Sequence, residues 1–229
     1  MRIHRFFVRE ATLGKDAEIL EPAIVNQWLK VFRMKKGDRV ALFCDDGFDY
    51  VYEIKNISKN SAEISFLEKN KNETAPKRRA ILFQSLIKKD KFEWVVEKGT
   101  EIGISAFRPV ISERSEKKNL NIERLRAIAK EATEQSGRGE VPNILEIAPL
   151  EEILRTLSGR TIVFDSSGPA FRHQDSGEEP VNFFIGPEGG WTEKEMTLFR
   201  TQGADIFSLG KATLRAETAS IVSAGFLLI

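Results

Sequence analysis

Residues 183–196 read FFIGPEGGWTEKEM, and this stretch decides the fold of the second half of the chain. The apolar run predicts a buried strand, the glycines predict a turn, and Thr192 followed by Glu195 predicts a capped helix start. Strand, glycine turn and helix commonly form a phosphate site. Here Pro187 removes an N–H donor and Glu188 adds a negative charge, so we expect an uncharged or cationic ligand. A turn without any ligand is the alternative.

A second stretch, SLGKATLRAETA at residues 208–219, has a similar pattern. A strand ends at Gly210, and a loop leads into a helix that we expect to hold Arg215 and Glu217. Residues two apart point in different directions on a helix, so separate roles fit these two better than a surface ion pair. The alternative is an ordinary helix start with one acid and one base.

Alternating strands and helices fill the chain beyond residue 80, which predicts an α/β domain with a mostly parallel sheet. Strands are expected at residues 80–86, 107–111, 144–148, 161–165, 181–185 and 205–209. Helices are expected at residues 91–102, 122–135, 151–157 and 193–202 and at the end of the chain. Before this domain, residues 39–68 predict three strands, residues 26–33 a short helix and residues 69–79 a linker.

Composition narrows the function classes. Residues 1–138 carry 28 Lys and Arg against 21 Asp and Glu, whereas residues 139–229 carry 7 against 13, which favours a basic face for a polyanion or a chance distribution of solvated charge. The single cysteine, Cys44, excludes an internal disulfide, and no apolar run is long enough to span a bilayer, so we expect a cytoplasmic protein. No spacing predicts a metal site, a P-loop or a GxSxG nucleophile.

Basic residues cluster in two places. Arg114 follows a strand and Arg138 follows a helix, and both are candidates for phosphate contacts, with Gln135 for a base edge. The N-terminal RIHRFFVR interleaves arginines with Phe6 and Phe7, a weak nucleic-acid signature, and packing of these rings into a core is at least as good an interpretation.

Seven stretches, in order along the chain, resemble the small-subunit ribosomal RNA uracil-N3 methyltransferases, the RsmE family of the SPOUT (trefoil-knot) methyltransferases. They are RFFV (5–8), VFRMKKGD (31–38), DKFEWVVEKGTEIGI (90–104), PVISERS (109–115), EATEQSGR (131–138), IGPEGGWTEKE (185–195) and LGKATLRAETA (209–219). The chain departs from the family pattern at residues 26–28 and at Ala212-Thr213, where a histidine-containing stretch and Arg-Ile are common.

The resemblance implies an N-terminal PUA-like β-barrel that binds RNA at residues 1–72 and a C-terminal SPOUT α/β trefoil-knot methyltransferase domain at residues 73–229. It implies S-adenosylmethionine as cofactor, 16S ribosomal RNA within the assembled small subunit as substrate, a homodimer, and neither metal nor membrane. A sulfonium cofactor without phosphate also suits the charge of Glu188.

Site residues follow from the same resemblance. Arg215 is expected to stabilise charge on the uracil oxygens, and Glu217 to act as the base or to orient the uracil. The expected cofactor residues are Phe164, Asp165, Ile185, Gly186, Pro187, Glu188, Gly189, Gly190, Ser208, Leu209, Gly210, Lys211, Thr213 and Leu214. The expected RNA contacts are Arg5, Arg33, Arg114, Gln135 and Arg138. A non-enzymatic RNA-binding protein and a methyltransferase for another RNA or base position remain open.

Overall fold

The computed structural model describes residues 3–8, 13–19, 21–76, 78–115 and 120–229. The chain divides into two compact units. The first consists of residues 1–75 with 133–140, and the second of residues 76–132 with 141–229. The domain boundary expected at residue 72 stays a prediction.

The first unit contains one sheet in its described residues. Its strands are β1 (His4–Phe7), β2 (Ala17–Ile19), β3 (Arg39–Phe43), β4 (Phe48–Ile57) and β5 (Ala62–Lys71), in the order β1-β3-β4-β5-β2. The three strands predicted at residues 39–68 are confirmed. The linker prediction is wrong at its start, because residues 69–71 continue β5 and pair with β4.

The short helix predicted at residues 26–33 begins earlier than expected. A helix, α1 (Pro22–Asn26), continues into a π-helical turn at Gln27–Val31, with Pro22 in its first turn, where a missing N–H costs nothing. Trp28 in this turn is fully buried and meets the ring of Phe6 edge-on, with 5.5 Å between centroids. The core interpretation of Phe6 is therefore confirmed.

The second unit is the predicted α/β domain. Its strands are β6 (Ala80–Ser85), β7 (Ala106–Ile111), β8 (Asn143–Ile144), β9 (Ala148–Pro149), β10 (Arg160–Phe164), β11 (Val181–Ile185) and β12 (Asp205–Phe207). Its helices are α2 (Lys89–Ile102), α3 (Ile122–Ser136), α4 (Leu150–Thr156), α5 (Glu193–Thr201) and α6 (Ala216–Leu228), although the end of α3 counts with the first unit. The strand predicted at residues 144–148 is two short strands separated by a break.

All strand pairs in this sheet are parallel, in the order β12-β10-β11-β6-β7-β8 with β9 beside β7. All five residues of β11 are buried, as expected of a central strand covered on both faces. One face packs against α2 and α6 and the other against α4 and α5. No helix in the described residues has the length and apolar character needed to cross a bilayer.

The loop after β10 closes over β12. Asp165 N donates to Phe207 O, Phe171 N donates to Ser208 O, and Ser208 N donates to Pro169 O, each at 2.8 Å. Gly168 sits at the tightest point, where an added Cβ would lie 2.6 Å from Ile206 O. The loop after β10 therefore lies directly against β12 and Ser208, the residue that follows it.

Candidate active site

Three loops at the carboxyl ends of β10, β11 and β12 enclose a cavity of about 370 Å³. Since β10 lies between β11 and β12 in the sheet, the loops that leave these strands meet at one edge. Open α/β sheets bind ligands at this edge. Ile185, Leu209 and Leu214 give the wall an apolar part. Asp165 and Glu188 add two negative charges, and Lys211 and Arg215 add two positive ones.

The structure brings the sequence-predicted cofactor residues together. All of them line this cavity except Gly189, whose carbonyl accepts a hydrogen bond of 2.7 Å from Arg114 Nη1. Their contact with a cofactor stays a prediction. Gly190 and Gly210 have φ of +69° and +121°, a region that favours glycine, so the loops can present backbone groups to a ligand.

Trp191 and Glu195 hold the glycine loop in place. The indole of Trp191 packs on Phe199 and lies against Gly186, where an added Cβ would be 3.2 Å from Trp191 Nε1. The predicted capping box is confirmed: Thr192 Oγ1 accepts from Glu195 N, and Glu195 Oε2 accepts from Thr192 N at 2.8 Å. Glu195 Oε1 also accepts from Glu113 N at 2.8 Å. The buried carboxylate thus fixes the loop that carries Arg114 beside the glycine loop.

Arg215 and Glu217 occupy different positions at the start of α6. The helix begins at Ala216, so the expectation that both lie inside it is wrong for Arg215. Arg215 is the extended N-cap residue, is exposed, and lines the cavity. Glu217, in the first turn, does not line the cavity; its Oε1 lies 3.3 Å from Lys91 Nζ. Their catalytic roles stay predictions.

Four of the five expected RNA contacts lie in the first unit. Arg5 pairs with Asp49 through Nε and Nη2, at 3.0 and 2.6 Å, and its guanidinium lies 4.3 Å above the Phe43 ring. Arg138 is 5% exposed, and burial lowers the pKa of its guanidinium. These contacts explain both arginines as parts of the fold. Arg33 and Gln135 are exposed.

Arg114, the fifth candidate, lies in the second unit at the rim of the glycine loop and is exposed. RNA contact by any of the five stays a prediction.

Sequence reasoning missed several residues at this site. Ser166, Trp191, Ala212, Ala216 and Ala219 also line the cavity. All of these except Ala219 directly follow a predicted site residue, which is the signal that the sequence offered. Lys91, which pairs with Glu188 and Glu217, lies about a hundred residues before them and had no such signal.

A second cavity, of about 480 Å³, lies where α6 ends. Arg78 on its wall donates from Nε to Leu227 O at 2.7 Å and from Nη1 to Gly177 O at 2.9 Å. These bonds tie the loop before β11 to the last turn of α6. The guanidinium thus already has structural partners, and the first cavity is the better site for chemistry.

Comparisons with known proteins identify the family of the chain. A family model described as the RNA methyltransferase domain matches residues 73–228, and one described as the RNA methyltransferase PUA domain matches residues 29–67. Ribosomal RNA small subunit methyltransferase E from Bacillus subtilis (strain 168) is 32% identical over 86% of this chain and 84% of its own. The protein of the same name from Rickettsia conorii is 29% identical over 97% and 94%.

A solved structure is similar over nearly the whole chain. The crystal structure of a ribosomal RNA small subunit methyltransferase E from Neisseria gonorrhoeae, bound to S-adenosyl methionine, has a TM-score of 0.88 and 28% identity and covers 97% of this chain and 95% of its own. These matches confirm the expected fold class, a PUA-like domain followed by a SPOUT α/β methyltransferase domain.

Proposed function

The chain belongs to the RNA methyltransferase family, and on this premise we propose that it methylates N3 of a uridine in 16S ribosomal RNA with S-adenosylmethionine. The observation that carries the proposal is the cavity formed by the loops after β10, β11 and β12. Its apolar part suits an adenine ring, its glycine-rich loops offer backbone groups, and its two carboxylates can face a positive group, while Lys211 and Arg215 lie on the same wall. S-adenosylmethionine supplies a methyl group on a positively charged sulfur.

Arg215 is the proposed group that stabilises charge on the uracil. Its guanidinium is exposed at the cavity wall, and no described residue accepts a hydrogen bond from it. When N3 loses its proton, negative charge spreads onto the neighbouring uracil oxygens. A guanidinium held there before the reaction stabilises this charge without reorganising.

Glu217 is the proposed proton acceptor. Glu217 would take the N3–H proton on a carboxylate oxygen, directly or through one water, while the methyl group supplied by the cofactor goes to N3 and the S–C electron pair stays on the sulfur, which becomes a neutral thioether. Glu217 Oε2 is buried and has no hydrogen-bond partner among the described residues, and Glu217 does not line the cavity, so its side chain must turn toward the cavity to accept the proton. N3 lies on the pairing edge, so the uridine must be unpaired when it binds.

Ribosomal RNA from a deletion strain tests the target. Mass spectrometry should show one uridine without its N3 methyl group, and the purified protein should restore it on isolated small subunits better than on naked RNA. Loss of a methyl group elsewhere would instead favour another RNA or base position. If S-adenosylhomocysteine gives no heat in a calorimetric titration, the protein is a binding module and the proposal fails.

Variants test the residue roles. We expect Arg215→Ala and Glu217→Gln each to slow methyl transfer by about 100-fold while S-adenosylhomocysteine binding changes little. Arg155→Ala, at an exposed position in α4, is the matched control and should keep full activity. Normal turnover of both site variants would refute these roles.

Three wider expectations belong to the same proposal. Residues 1–72 form an RNA-binding domain and residues 73–229 the methyltransferase domain. The protein works as a homodimer, which sedimentation equilibrium would test, and acts in the cytoplasm, where its ribosomal substrate is made.

A further inference from the structure

Lys91, in the first turn of α2, lies between two carboxylates from distant parts of the chain. Its Nζ is 3.3 Å from Glu217 Oε1 and 3.6 Å from Glu188 Oε1. Neither glutamate has another ion pair within the described ranges. One ammonium therefore serves two carboxylates, and the three side chains together carry one excess negative charge.

This excess charge lies at the cavity and is partly shielded from water. The side chains of Lys91, Glu188 and Glu217 are 24%, 30% and 15% exposed. Glu188 lines the cavity wall, so its carboxylate acts on a ligand there. Partly buried charges are screened less by salt and water than exposed ones, so this cluster keeps much of its field.

Three further charged groups lie on the cavity wall. Lys211 and Arg215 are positive and exposed, and the Glu188 residue as a whole is exposed too. Asp165 is half-buried and adds a further negative charge, although its Oδ1 already accepts from Ser167 N at 2.9 Å. The charges on the wall therefore nearly cancel, so the loss of a single charge at Glu188 or Lys91 changes the balance that a ligand meets.

We propose that Glu188 and Lys91 act as an opposed pair that sets how strongly the cavity prefers a cationic sulfonium ligand over its neutral thioether product. The inference rests on the proposed function and extends it to a pair of specificity residues. Glu188 attracts the positive sulfur, and Lys91 weakens that attraction. Methyl transfer removes the positive charge, so the product loses the attraction that the cofactor had, which favours its release.

The test is the ratio of two dissociation constants, S-adenosylhomocysteine over S-adenosylmethionine, measured by calorimetry at low salt. A unit charge beside the cavity, partly screened by water, changes the affinity for a cation by about fivefold. We therefore expect Glu188→Gln to lower the ratio by about fivefold and Lys91→Met to raise it by a similar factor. A change in shape alone would alter the affinity for both ligands alike.

Matched variants complete the design. Lys89→Met, two residues from Lys91 and paired with Glu93 instead, should leave the ratio within twofold of the wild type, as should Lys91→Arg, which keeps the charge. Sinefungin, with an ammonium in place of the sulfonium, should follow S-adenosylmethionine. In 0.5 M NaCl both shifts should shrink.

The two proposals fail in different ways. If the wild type binds neither ligand, the proposed function is wrong. If the wild type binds both and the ratio moves less than twofold in Glu188→Gln and Lys91→Met, or moves in the same direction in the two, this inference alone is overturned. Should Lys91→Met fail to fold, as judged by circular dichroism, the Glu188→Gln shift decides.

Discussion

Replacing Gly168 with alanine tests the crossing of the chain over β12. The added Cβ would lie 2.6 Å from Ile206 O and 2.7 Å from Phe207 Cα. Ordinary contacts of a Cβ begin at 3.4 Å, so the loop or the strand must move by about 0.8 Å. Both neighbours are backbone atoms held by hydrogen bonds across the crossing, so neither can turn away as a flexible side chain would.

The expected cost follows from two opposing terms. Overpacking of this kind costs about 1–3 kcal/mol, whereas Gly→Ala gains about 0.4–1 kcal/mol because the unfolded chain loses freedom. We therefore expect Gly168→Ala to lower the free energy of unfolding by about 1–2 kcal/mol and the melting temperature by about 3–6 °C. Since Asp165 and Ser166 of the same loop line the cavity, the affinity for S-adenosylhomocysteine should also fall.

Urea unfolding followed by circular dichroism measures the first effect and calorimetry the second. Gly225→Ala is the matched control, because this glycine lies in α6 and an added Cβ meets nothing within 4 Å. Alanine favours a helix by about 0.8–1 kcal/mol, so this variant should be more stable than the wild type. If Gly168→Ala is as stable as the wild type and binds as tightly, the close approach of loop and strand is not real.

Three further predictions concern other parts of the chain. Glu195→Ala removes the acceptor of the Glu113 and Thr192 N–H groups, so it should lower the free energy of unfolding, measured with urea, by about 2 kcal/mol. Glu193→Ala, at an exposed carboxylate of the same helix, should lower it by less than about 0.5 kcal/mol. Arg114→Ala should weaken RNA binding and reduce the salt slope by about 1 while cofactor affinity is kept; an unchanged slope would remove Arg114 from the RNA interface. Burial and then the nearby Asp46 carboxylate raise the pKa of the Cys44 thiol, so at pH 8 a smaller fraction is thiolate than in free cysteine. The thiol should therefore react with a disulfide reagent more slowly than free cysteine, and a faster reaction would contradict this.

Local patterns in the sequence were enough to predict most strands and helices of the second unit. The apolar run of β11, the glycine turn and the Thr192–Glu195 capping box each depend on residues a few positions apart, so propensity and spacing reveal them. Prediction was less accurate where contacts between residues far apart in the sequence determine the local structure. Residues 69–71 look polar enough for a linker, but pairing with β4 makes them strand.

The sequence by itself determined the loops that form the candidate site, because glycine turns after buried strands follow from local backbone chemistry and the resemblance selected these turns among others. Only the tertiary structure decided that the loops meet, since this requires β12 to pair with β10 and to lie against the loop at Gly168. It alone also placed Lys91 between Glu188 and Glu217 and showed that Arg5 and Arg138 are held in the fold. Such contacts join residues far apart in the chain, and no local spacing encodes them.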